Sequence, residues 1–136
     1  MIVQKERWEG IPLLHVYKEE MKKDAPIVIF LHGFMSAKEH NLHYAYNLVE
    51  KGVRVILPDA YMHGERSENL PESQMNLIFW RIVIKYVGEV EILHKALKEK
   101  GFHGDIGVMG TSMGGITTTG CLKKYDWIKA AGVLMG

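Results

Sequence analysis

The 136 residues predict an α/β fold: a mostly parallel sheet with an N-terminal antiparallel hairpin and helices on both faces. Three observations carry that expectation. Two short segments at the N-terminus flank a Glu9-Gly10 turn signal, as in a hairpin. Behind them, short apolar runs alternate with segments of helical periodicity, the pattern of right-handed strand–helix–strand crossovers. The stretch Asp105 to Gly115 then sets Gly110-Thr111-Ser112-Met113-Gly114 between an apolar run and a helix-compatible segment.

Taken in order, Ile2 to Trp8 is the first strand of the hairpin and Ile11 to Tyr17 its partner. Pro12 there calls for an edge or strand-start position. Lys18 to Asp24 is a charged link. Ile27-Val28-Ile29-Phe30-Leu31 is continuously apolar, as in a strand covered on both faces. Ser36-Ala37-Lys38-Glu39 has the spacing of a capping box, and Leu42, Ala45, Tyr46 and Val49 follow at helical intervals up to Gly52. Val53 to Leu57 is the next strand, closed by Pro58-Asp59 and a polar loop through His63-Gly64-Glu65-Arg66-Ser67. One long helix is predicted from about Ser73 to Lys100, with Phe79, Ile82, Val83, Tyr86, Val87, Val90, Leu93 and Leu97 as its apolar stripe and Gly101 as its cap. Asp105 to Met109 is a strand, Gly114 to Lys124 a helix in spite of Thr117, Thr118 and Thr119, and Ala130 to Met135 a last apolar strand.

Composition narrows the functional class. With 47% hydrophobic residues the chain can bury one core as a single domain, 1–136. Seventeen basic against sixteen acidic residues, with neither sign in a block, imply no nucleic-acid or membrane patch. Cys121 is the single cysteine, so a disulfide within the chain is impossible and a reducing, cytoplasmic setting fits. The start turns polar at once, unlike a secretory signal, and the longest apolar run is far short of a membrane span.

The chemistry points to Ser112. G-x-S-x-G after a strand and before a helix is the pattern of a nucleophile elbow. A serine on so sharp a turn leaves no room for neighbouring Cβ atoms, which explains Gly110 and Gly114. The competing reading is a glycine-rich turn with an N-capping Ser or Thr. In a parallel sheet, binding sites lie at the carboxyl ends of the strands. His32-Gly33-Phe34, the 59–67 loop and Ser112 all fall at such ends.

These stretches together resemble the α/β-hydrolase superfamily, and most closely small bacterial cytoplasmic esterase-type hydrolases of its prolyl-oligopeptidase and dienelactone-hydrolase branches. The likeness rests on Ile-Phe-Leu-His-Gly-Phe (29–34), Ser-Ala-Lys-Glu-His-Asn (36–41), the segment from Leu-Pro-Asp to His-Gly-Glu-Arg (57–66), and Gly-Thr-Ser-Met-Gly-Gly-Ile-Thr-Thr (110–118). It implies the N-terminal portion of an α/β-hydrolase fold. Ser112 takes the nucleophile position, and the backbone N–H groups of Met113 and of Phe34, with Met35 beside it, take the oxyanion hole. His32 and Gly33 are motif residues, with His32 structural. The implied substrate is a small-molecule ester or acyl compound, hydrolysed through an acyl-enzyme, and no metal or other cofactor is implied.

One departure qualifies the likeness. In this superfamily the order is Ser, then Asp or Glu, then His. The acid and base would follow the strand at 130–135, and the sequence ends at Gly136. The expectation is therefore the N-terminal part of a longer hydrolase, with triad Asp and His missing from this chain. Its last apolar strand would be open to self-association. The alternative is a catalytically inactive fragment acting only in binding or assembly.

Other candidates receive bland readings. His63 is the best-placed substitute base, but a loop histidine contacting solvent or Asp59 is favoured. His40 and His43, near Glu39, make a poor zinc site on one helical turn. His15, His94 and His103 carry no motif. Cys121 is a small core hydrophobe, Trp80 and Trp127 are packing residues, and Glu65 and Arg66 belong to a solvated loop. Met113 either lines an acyl pocket or packs underneath it.

Overall fold

A computed structural model describes residues 1–134. Among them six strands form one sheet in the order β1-β2-β4-β3-β5-β6. β1 (Ile2–Trp8) and β2 (Ile11–Tyr17) pair antiparallel through the expected hairpin, whose turn residues Glu9 and Gly10 both have positive φ (51° and 80°). That matches a two-residue turn with φ positive at both central positions. β2 also pairs antiparallel with β4 (Arg54–Pro58), from Leu13 onward, so Pro12 stands at the start of an interior strand. β3 (Ile27–Leu31), β5 (Ile106–Thr111) and β6 (Ile128–Leu134) add parallel pairings. The predicted last strand reached Met135, which lies outside the described residues. β6 begins two residues earlier than predicted and forms one edge of the sheet, with Val133 46% exposed.

Helices cover both faces because each strand carries apolar side chains alternately up and down. α1 (Leu42–Glu50) sets Ala45 and Val49 against Leu14, Val16, Phe30, Val55 and Leu57. On the other face, α3 (Phe79–Glu99) and α4 (Met113–Lys124) cover Leu13, Ile27, Ile29, Leu31, Ile56, Ile106 and Val108. Each fully buried Ile, Leu or Phe of these layers contributes about 1.5–3 kcal/mol of transfer free energy. Six of the eight predicted stripe residues of α3 are buried, and Phe79 and Val87 pack at its margin.

Three local expectations are corrected. Ser36 does not cap a helix: residues Lys38–Asn41 form a 3-10 turn capped by Ala37 without a side-chain bond, and the Ser36 hydroxyl meets His40 Nδ1 at 2.8 Å instead. The long helix is two, α2 (Glu72–Leu77) and α3, broken at Ile78 (φ −106°, ψ 12°). No Pro or Gly marks the break. Met75 is buried and Phe79 packs on the core, while Leu77 is left 85% exposed. Trp80 touches Phe79 edge-on but is 64% exposed, so it is not a packed core residue. The threonines of α4 are accommodated by hydroxyl bonds back to the carbonyls of Met113, Gly114 and Gly115, four residues earlier.

Glycine substitutions should separate close approach from mere helix entropy. A Cβ on Gly114 would stand 2.0 Å from the Leu31 carbonyl oxygen, so Gly114→Ala is expected to destabilise by about 3 kcal/mol in a denaturant titration. Gly88, inside α3, has nothing within 4 Å of such a Cβ, and Gly88→Ala should stabilise by about 0.5–1 kcal/mol.

Candidate active site

Ser112 is the hinge between β5 and α4. It has φ 52° and ψ −115°, a conformation that side-chain-bearing residues rarely adopt and that costs on the order of 1–3 kcal/mol. The turn is held from three sides. Ser112 N–H donates to the Leu134 carbonyl (3.0 Å), and the Ser112 carbonyl accepts from the N–H groups of Gly115 and Ile116. Added Cβ atoms at Gly110 and Gly114 would strike backbone at 2.3 Å and 2.0 Å, so the flanking glycines are needed for contact with the elbow itself and with β3. Ser112 is exposed, while Met113 is 1% exposed and packs under the turn, which decides between the two placements open for its side chain.

The loop after β3 runs directly against this elbow. A Cβ on Gly33 would be 3.4 Å from Ser112 Cβ. Residues 33–36 form a turn closed by Ser36 N–H donating to the Gly33 carbonyl (3.2 Å), with Met35 at φ 64°. Met35 N–H is engaged, donating to His63 Nε2 at 3.0 Å. Among the described residues the N–H groups of Phe34 and Met113 meet no acceptor. The loop and the start of α4 thus each carry one N–H without an acceptor among the described residues, and that of Met35 is not one of them.

His32 and His63 are both buried staples (1% and 3% exposed), their rings 5.2 Å apart. His32 donates from Nδ1 to the Gly33 carbonyl (2.8 Å) and accepts Ala60 N–H at Nε2 (3.0 Å). His63 donates from Nδ1 to the Tyr61 carbonyl (2.8 Å) and accepts from Met35 at Nε2. The solvent-or-Asp59 reading of His63 is therefore corrected: the ring is internal, and both nitrogens are used. Burial pushes the His32 pKa down to about 4 and lowers that of His63, so both stay neutral at pH 7.

Beneath these loops lies a buried ion cluster that the sequence reading missed. The Asp59 carboxylate, 0% exposed, accepts Lys38 N–H (3.1 Å), Lys38 Nζ (2.7 Å) and Glu65 N–H (3.0 Å). Lys38 Nζ also meets Glu65 (2.8 Å) and Glu39 (3.1 Å). Burial alone would lower the Lys38 pKa, but the Asp59 and Glu65 carboxylates outweigh it and raise it. Arg66 grips Glu89 of α3 with both guanidinium nitrogens (2.7 and 2.8 Å) and donates to the Asp59 carbonyl. Glu65 and Arg66 are thus loop fasteners, not freely solvated side chains. The signal for this cluster is the lone Asp59 straight after a wholly buried strand, though its partner Lys38 is 21 residues away.

The remaining candidates stand apart. His15 is buried between Glu6 (2.8 Å) and Arg54 (2.9 Å). His94 stacks on Trp127, which packs as expected. Burial raises the Cys121 pKa to about 12, in keeping with a core role. Among the described residues no group of three His, Cys, Asp or Glu could hold a metal ion, and no helix is long and apolar enough to cross a membrane.

The sequence profile described as "Dienelactone hydrolase family" matches residues 14–136. The protein named "Putative esterase YitV" of Bacillus subtilis (strain 168) is 50% identical over 137 residues, covering 98% of this chain and 54% of that protein. "Esterase YjfP" of Escherichia coli (strain K12) is 35% identical, over 93% of this chain and 51% of that protein. The chain thus spans about half the length of the curated relatives it matches. A cold-adapted esterase from an Arctic intertidal metagenomic library superposes with a TM-score of 0.78 at 19% identity, over 96% of this chain and 58% of that one, a likeness of fold.

Two measurements check the loop energetics. Asp59→Ala leaves Lys38 buried beside two partly exposed carboxylates and should cost about 3–5 kcal/mol in denaturant unfolding. His32, neutral when folded, binds its proton more readily when unfolded. Stability should therefore be full above about pH 6.5, the ordinary histidine value, and fall as the pH drops toward about 4. The loss should approach about 3 kcal/mol for this one group, and His32→Asn should flatten that slope.

Proposed function

The chain belongs to the dienelactone hydrolase family, and from that premise we propose that it carries the nucleophile and oxyanion half of a serine ester hydrolase acting on a small-molecule ester. The observation that carries the reading is Ser112, exposed at positive φ between β5 and α4, with the Gly33 backbone against it. In this reading Ser112 Oγ attacks the ester carbonyl carbon as a base takes its proton. The tetrahedral oxyanion is held by the N–H groups of Met113 and Phe34. Collapse breaks the ester C–O bond, the alcohol leaves with that proton, and an acyl-enzyme remains. Water attacks it and releases the acid. Each oxyanion donor would be worth about 2.7–4 kcal/mol of barrier.

The base and its orienting acid are supplied from outside the described residues. His32 and His63 have both ring nitrogens engaged, and no histidine hydrogen-bonds the Ser112 hydroxyl. The superfamily order places both groups after the strand that follows the elbow, hence C-terminal to β6. The open β6 edge is part of the same reading: where no further strand covers it, the chain self-associates through it. Sedimentation that showed a monomer at every concentration would remove that part. The single buried thiol fits a cytoplasmic setting.

The test is intact-mass spectrometry after treatment with a fluorophosphonate, beside Ser112→Ala. A stoichiometric adduct lost in the variant is the expected result wherever the base is present. A folded protein that contains the downstream acid and His, yet takes no adduct, would leave a scaffold serving binding or assembly.

A further inference from the structure

The loop that offers Phe34 N–H is itself in an uncommon state. Its turn, Gly33 to Ser36, has positive φ at the third residue, a place normally given to glycine, yet Met35 stands there at 64°. A flip of the Phe34–Met35 peptide would convert the turn to its common form with negative φ at that residue. Beside the loop an open pocket of about 100 Å³ is lined by Met35, Ser36, Met62, His63, Leu70 and Met75. What opposes the flip is one hydrogen bond, Met35 N–H to His63 Nε2.

We propose that His63 is the positioning residue of the oxyanion loop: its Nε2 holds Met35 N–H, which fixes Phe34 ψ and Met35 φ and so keeps the Gly33–Ser36 turn in the form that carries Phe34 N–H, on the preceding peptide, as its free donor. The proposal rests on the reading of Phe34 as an oxyanion donor. The His63 ring is well placed for the task. Nδ1–H is anchored on the Tyr61 carbonyl, so the lone pair stays on Nε2. The Phe34 ring packs edge-on to it at 5.8 Å and the His32 ring stands 5.2 Å from it. Burial, which lowers its pKa, keeps the acceptor unprotonated at pH 7. Since His63 sits in the loop after β4, the link also ties two separate loops into one unit.

The experiment compares wild type, His63→Leu, which removes the acceptor, and His63→Gln, whose side-chain oxygen can replace it. Two quantities are read: hydrogen exchange of the Met35 amide and the rate of fluorophosphonate labelling at Ser112. His63→Leu should speed Met35 exchange and slow labelling, each at least tenfold, and His63→Gln should restore both to near wild type. Unchanged exchange in His63→Leu overturns the proposal. So does faster exchange with an unchanged labelling rate, and so does a Gln variant as impaired as Leu, which would mean packing only. If wild-type protein that contains the downstream acid and His takes no label, the nucleophile reading fails on its own, and the exchange difference between Leu and Gln still decides whether His63 holds the loop. If His63→Leu does not fold, the long-range proton–nitrogen spectrum of the wild-type imidazole decides. Protonated Nδ1 with bare Nε2 at neutral pH upholds the proposal, and a protonated Nε2 overturns it.

Discussion

The loops at the carboxyl ends of β3 and β4 depend on one buried carboxylate. Asp59 lies at the end of β4 with no solvent access, and an unpaired charge in that position would be prohibitively costly. Its three donors come from the loop after β3, through Lys38, and from its own loop, through Glu65. Removing either loop would strand the charge, so the two loops are held together by the cost of desolvation as much as by attraction. Gly64 is part of this arrangement: a Cβ there would fall 2.1 Å from Asp59 Oδ1. Arg66 extends the network to Glu89 and so joins the loops to α3, whose buried stripe belongs to the core. The loops are therefore fastened to a helix whose other face is buried in the core.

Against that rigid base the chain holds uncommon backbone. Met35, Met62 and Ser112 have positive φ, and all three stand in the loops at the carboxyl ends of β3, β4 and β5. Each such residue costs on the order of 1–3 kcal/mol and persists only where its surroundings leave no alternative. Ser112 is held by bonds to β6 and α4, and Met35 by His63. Strain so distributed has a chemical sense. Donors that must face a developing charge work best when fixed before the reaction, because their reorganisation is then already complete.

Much of this was legible in the sequence, and the failures share a cause. The hairpin, the alternation of strand and helix, the glycines of the elbow and the apolar stripe of α3 are local patterns written in adjacent residues, and the folded chain matches them within a few residues. The elbow was legible because steric exclusion acts between near neighbours, Gly110 and Gly114. The ion cluster was not, because Lys38 and Asp59 meet only after β3 and β4 pair, and in sequence Lys38 reads as a surface charge within a capping box. The role of His63 was hidden for the same reason: its acceptor function is defined by a backbone N–H 28 residues away. The break at Ile78 lacks even a distant signal, since Leu77, Ile78 and Phe79 suit a continuous helix.

Phe34 is also held through its side chain. At the start of α3, Phe79 meets the Phe34 ring at 5.1 Å, edge to face. Such aromatic pairs add about 0.5–1.5 kcal/mol beyond burial. Phe34 is thus gripped by its side chain from α3, while the peptide after it is gripped by His63 from the β4 loop.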